Sequence, residues 1–134
     1  MRAITRIGLA CVVAMSAACG SNTSTATSPS TTTAGPETWT SMLAPGGTSS
    51  RSFTVKAAGT ITVTMTSAGT TVGLGVGLPN VTGGGCRLGV AVNADASTTP
   101  QISTQADAGQ YCVQVYDLGT LTDPIPFALK IDHP

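Results

Sequence analysis

The groups able to do chemistry are few, and their spacing suits little of it. The chain has four cysteines (Cys11, Cys19, Cys86 and Cys112) and one histidine, His133, in 134 residues. No two cysteines form a CxxC pair and none lies beside the histidine. Neither a redox dithiol nor a zinc site is therefore indicated. One imidazole next to the last residue is a poor basis for a Ser-His-Asp triad or a multi-histidine metal centre. Asp117, Asp123 and Asp132 are scattered through turns, whereas a hard cation takes about six to eight oxygens; solvated turn aspartates are the simpler reading. The glycine runs do not form GxGxxG between a strand and a helix, so they signal no dinucleotide. The expectation is a protein without catalytic residues, metal or cofactor.

Charge narrows the partners. Six basic and six acidic residues cancel, and only 9% of residues are charged, against about 25% in ordinary globular domains. Such a surface lacks the basic stripe that phosphate backbones require, so nucleic acid is not an expected partner. The length leaves room for one domain.

The amino end reads as an export signal. Arg2 and Arg6 precede an apolar run, Ile7–Met15, of nine residues. Three small residues follow, Ser16, Ala17 and Ala18, and then Cys19. A positive segment, a short apolar core and a small-residue cleavage site describe a secretory signal peptide. The run is too short to span a bilayer, which takes about 20 apolar residues. With its cysteine, the site resembles the lipobox of bacterial lipoproteins. The family prefers leucine where Ser16 stands. The resemblance implies cleavage after residue 18, acylation of Cys19 and a lipid bilayer as partner. The competing reading is an ordinary signal peptide followed by an incidental thiol. Two or more acyl chains hold a protein stably, whereas a single one does not. Gly20, where lipoproteins retained in the inner membrane have aspartate, implies the outer membrane or cell surface.

Two consequences follow from that processing. Of four cysteines, which allow three full pairings, Cys11 is removed and Cys19 is acylated. Cys86 and Cys112 remain, and an oxidising compartment favours a bond between them. The second consequence concerns residues 19–36. Gly20–Pro36 is almost wholly Ser, Thr, Ala, Gly and Pro, and cannot bury enough apolar surface to offset ordering entropy. It reads as a flexible linker of about 23 Å mean reach.

Residues 37–134 show alternation instead of helical spacing. Ile61, Val63 and Met65 alternate with Thr60, Thr62, Thr64 and Thr66, giving one oily and one hydroxyl face. Val72, Leu74, Val76 and Leu78 alternate with Gly73, Gly75 and Gly77. Cys86, Leu88, Val90 and Val92 continue the pattern, as do Tyr111, Val113 and Val115, and then Ile125, Phe127, Leu129 and Ile131. Seven or eight strands with frequent turns predict a single antiparallel β-sandwich of jelly-roll or Greek-key order. Pro124 and Pro126 suggest that the last strand lies at an edge. Tyr111 and Cys112 are adjacent, so their side chains take opposite faces. If Tyr111 packs inward, the bond to Cys86 staples an outer face. An immunoglobulin domain, whose tyrosine lies two residues before the cysteine, instead joins its sheets through the core.

Phe53-Thr54-Val55, Gly59 to Met65, Ala108-Gly109-Gln110-Tyr111-Cys112-Val113-Gln114-Val115 and Phe127-Ala128-Leu129-Lys130-Ile131 together resemble the bacterial pre-peptidase C-terminal domain. That family is a secreted β-sandwich module, and some members bind calcium or polymers such as collagen. The acidic cluster that would carry calcium has no clear counterpart here. The expected function is a non-catalytic, lipid-anchored envelope protein that binds a polysaccharide or an envelope protein. The alternatives are a structural component without a ligand and an accessory module of a secreted enzyme. The candidate binding surface is Trp39, Tyr116 and the face over Gly73, Gly75 and Gly77. Core packing of the tryptophan and close packing of the protein's own chain over the glycines are the competing readings.

Overall fold

The computed structural model describes residues 35–134. The signal peptide, Cys19 and nearly all of the linker lie outside the described residues.

Among the described residues eight strands form: β1 (Glu37–Leu43), β2 (Thr48–Val55), β3 (Gly59–Ala68), β4 (Val72–Pro79), β5 (Cys86–Ala94), β6 (Ile102–Ala106), β7 (Gly109–Tyr116) and β8 (Ile125–Asp132). They make two four-stranded sheets, β1-β8-β3-β6 and β2-β7-β4-β5, and every pairing is antiparallel. This is a jelly roll. All connections pass from one sheet to the other except the β4–β5 hairpin.

Alternation builds the core, because period two puts every second side chain between the sheets. One sheet contributes Ile61, Val63, Met65, Phe127, Leu129 and Ile131; the other contributes Phe53, Leu74, Val76, Val113 and Val115; all are buried. Each such side chain stabilises the fold by about 1.5–3 kcal/mol. The threonines of β3 take the opposite face.

β8 is not an edge strand. It lies between β1 and β3, and the edges are β1, β6, β2 and β5. Proline is tolerated because β3 pairs with β8 only as far as Phe127, so Pro126 has a neighbour strand on one side alone, at Met42. The missing N–H therefore costs little there.

The register fixes two ends. Glu37, the 56–58 and 107–108 turns, the 80–85 loop and Pro134 share one end. The 44–47, 69–71, 95–101 and 117–124 loops share the other.

Candidate functional site

The outer face of β2-β7-β4-β5 gathers most of the residues singled out in the sequence. Gly73, Gly75 and Gly77 are buried in the middle of β4. What packs over them is the chain's own. A Cβ at Gly73 would lie 2.1 Å from the Tyr116 ring, and one at Gly75 would lie 2.7 Å from the Leu88 side chain. One at Gly77 would lie 1.9 Å from the Arg87 carbonyl oxygen. Tyr116 is thus a half-buried cover on Gly73, its register partner. Trp39 belongs to the other sheet. It is half-buried and meets Phe127 edge to face, with centroids 5.0 Å apart and planes at 87°. The fold therefore joins Tyr116 to the glycines but leaves Trp39 elsewhere.

The Cys86–Cys112 disulfide closes this face, with Cα atoms 5.9 Å apart. Its strands, β5 and β7, flank β4 in one sheet, where Cys112 is the register partner of Gly77. The bond therefore lies within one sheet and does not join the two. Strands two apart are normally about 9.5 Å from each other, beyond the roughly 4.4–6.8 Å that a disulfide spans. The register shift between Val76 and Gly77 and the missing side chain at Gly77 let the first residues of β5 fold over β4. Gln114 Oε1 accepts the Cys86 N–H at 3.0 Å, further tying the strand start to β7.

The stapled strand carries the β4–β5 loop. Asn80 N–H donates to the Gly85 carbonyl at 3.1 Å, and its Nδ2 donates to the Gly84 carbonyl at 3.3 Å. Gly84 and Gly85 have φ of 70° and 73°, which favours glycine. At the tip, Val81 is 98% exposed, and Leu78 at the base is 50% exposed. Beside the loop an open cleft of about 430 Å3 runs between the β5 and β6 edges, lined by Val76, Leu78, Arg87, Gln105, Tyr111 and others. Sequence reasoning did not find this cleft, because it is made by two strands that never hydrogen-bond to each other. An open notch of similar volume, about 440 Å3, lies by Met42, Pro126 and Ala128 on the far sheet.

His133 is structural. Its ring stacks on Phe53, with centroids 5.0 Å apart, and Phe53 stacks on Tyr111 at 6.3 Å. Its Nε2 bonds Glu37 Oε1 at 3.2 Å, while Glu37 Oε2 pairs with Arg51 at 3.2 Å. The imidazole side chain is only 2% exposed, so no substrate reaches it. The signal was present in the sequence, since His133 continues the inward series Phe127, Leu129, Ile131. Of the three aspartates expected in turns, Asp117 and Asp123 lie in the 117–124 loop, but Asp132 is the last residue of β8, at the other end of the sandwich, so the three do not meet. Asp132 pairs with Lys130, and Asp123 accepts from Thr122. Asp117 accepts N–H groups from Gly46, Gly119, Thr120 and Leu121 at 2.8–3.2 Å. Those bonds, that from Gly46 foremost, hold its carboxyl below the usual range against a smaller opposing effect of burial. Among the described residues no three of His, Cys, Asp and Glu lie close enough to hold a metal ion.

No family model and no curated protein matches this chain. Among solved structures, it is similar in fold to an Aeromonas hydrophila protein, PliG, a periplasmic inhibitor of g-type lysozyme. The TM-score is 0.53 at 17% identity, over 72% of this chain and 84% of that one. The chain is thus an all-β sandwich of a kind that also occurs in the bacterial periplasm.

Proposed function

We propose that this is a non-catalytic protein of the bacterial cell envelope, held to a membrane by an acylated Cys19, whose jelly roll binds another macromolecule there. Residues 1–18 are its signal peptide, 19–36 its tether and 37–134 its binding domain. The observation that carries the reading is the Cys86–Cys112 bond. It needs an oxidising compartment, which agrees with the export signal, and it pins a loop whose apolar tip, Val81, no described residue covers. Rigid, pre-ordered loops lose little entropy on binding. The fold it shares with a lysozyme inhibitor is an analogy of scaffold. It makes a protein ligand the first choice and an envelope polymer the second.

The anchor is tested by the mass of the Cys19 peptide from native cells, where an unmodified peptide refutes acylation. Binding is tested with full-length protein in detergent, immobilised and exposed to g-type lysozyme or to peptidoglycan. Retention of lysozyme supports a protein ligand, and retention of peptidoglycan a polymer. Retention of neither overturns a binding role at this surface.

A further inference from the structure

The two lateral sides of the sandwich are closed differently. Where the β1 and β2 edges meet, side chains tie one sheet to the other. Ser49 Oγ donates to Ser41 Oγ at 3.4 Å, and Arg51 pairs with Glu37 at 3.2 Å. Where the β5 and β6 edges meet, no side-chain hydrogen bond or ion pair joins the two strands among the described residues. Gln105 of β6 instead donates to Thr60 of its own sheet at 2.9 Å. The staple accounts for the difference. Cys112 alternates with the inward Val113 and so faces outward, and its bond draws the first residues of β5 over the outer face of β4. That is away from the sheet that holds β6, and the cleft of about 430 Å3 is the gap left behind. Its floor is apolar, from Val76, Leu78, Val90 and Tyr111, with Thr104 on the β6 wall. Arg87 also lines it, exposed and without an ion pair among the described residues. No carboxylate lines the cleft; Asp107 belongs to a separate hollow that adjoins it at Gln105 and Tyr111. The β5 edge beside it is unguarded. It has a neighbour strand on one side alone. Beyond Gly89, which has no register partner, Val90–Ala94 pairs regularly with β4 and contains neither lysine nor proline, the usual guards of an edge.

We propose that the β5–β6 cleft is the docking groove for an extended polypeptide segment of a partner protein. The segment lies along the β5 edge, seats one apolar side chain on the Val76–Leu78–Tyr111 floor and sets an aspartate or glutamate against Arg87. This rests on the binding role proposed above and names the chemistry of its ligand. Two features select such a ligand. The N–H and C=O groups that β5 turns away from β4 recur with the strand's own repeat, and another extended main chain is what matches them. The charge is complementary to a carboxylate, since the guanidinium is unpaired and the cleft holds no anion of its own, and arginine pairs with carboxylates through two parallel bonds. A single cation is not the basic cluster that a phosphate-rich ligand requires. The disulfide holds the cleft open before the ligand arrives, so little ordering is lost on binding.

The test is selection from a phage library of random short peptides against full-length protein in detergent, then amide hydrogen exchange with a selected peptide made synthetically. The expected consensus sets an acidic residue two positions from a large apolar one, which puts both on the same face of an extended chain. The bound peptide should slow exchange of the β5 amides between Val90 and Ala94. Arg87→Glu, at an exposed position, should keep the fold and weaken binding about tenfold or more. Thr104→Phe, which fills the cleft, should abolish binding with the circular dichroism unchanged; if that variant misfolds, Arg87→Glu still decides. Selected peptides without an acidic residue, affinity unchanged in Arg87→Glu, or protection that leaves β5 out each overturn the proposal. A dimer whose β5 amides are protected without peptide overturns it in favour of a second copy of the chain. Selection of no peptide overturns it as well. Retention of lysozyme or peptidoglycan in the experiment above then leaves the binding role standing, and retention of neither removes both.

Discussion

Replacing Gly77 by alanine probes the stapled face most directly. The new methyl would lie 1.9 Å from the Arg87 carbonyl oxygen and 2.7 Å from its carbon. Ordinary contact begins at 3.4 Å, so the backbone of β5 must retreat by about 1.5 Å, the difference from 1.9 Å. No side-chain rotation relieves the clash, because the obstructing atoms are main chain. Overpacking of this kind costs about 1–3 kcal/mol. Losing one or two ladder bonds near Leu78–Arg87 and Pro79–Cys86 adds about 1 kcal/mol each. The gain from removing glycine's chain entropy is about 0.5–1 kcal/mol. The net loss is about 2–4 kcal/mol, or roughly 10–25 °C in Tm for a domain this size. Gly75→Ala is the control. Its methyl meets mainly the Leu88 side-chain tips at 2.7 and 2.8 Å, which can rotate, so about 1 kcal/mol is expected. Thermal unfolding followed by circular dichroism, with thiol titration of the same samples, measures both. Gly77→Ala should also leave more unpaired Cys86 and Cys112 thiols. Equal melting temperatures for the two variants would refute the close approach of β5 to β4 at Gly77.

Other outcomes follow from the same structure. Replacing both Cys86 and Cys112 by alanine, which frees a loop of sequence separation 26, should cost about 3.5 kcal/mol on chain entropy. Urea denaturation checks this, and an unchanged midpoint would contradict it. Asp117, whose folded carboxyl is held below the usual aspartate range by the Gly46 N–H above all, contributes stability that is present above that usual range and is lost as pH falls through its lowered value. Asp117→Asn should therefore melt below the wild type at neutral pH, with the gap narrowing in strong acid. A gap independent of pH would count against the carboxylate. Leu129→Ala, at a fully buried position, should cost about 2–5 kcal/mol, measured in the same urea series.

The strands were readable because alternation is local. In Ile61, Val63 and Met65, or Phe127, Leu129 and Ile131, the same residues that mark a strand also choose its buried face. Strand order was not readable, since pairing β8 with both β1 and β3 depends on contacts far apart in sequence. That is why Pro126 suggested an edge: the proline rule is correct, but whether β3 reaches that position is a matter of register. Asp117 is an exposed loop residue, as the sequence suggests, but its bond from the Gly46 N–H was not readable, because that partner lies 71 residues away.

The sequence by itself determined the all-β class and the inward faces of β3, β7 and β8 and, with the lipobox resemblance, the pair of cysteines left to bond, because these depend on residue type at period two or on a count. Only the tertiary structure decided which sheet that bond lies in, what covers the β4 glycines and which end of the sandwich holds the exposed loop. Those follow from strands meeting across the chain, through backbone positions and bulges that carry no signature in the residues themselves.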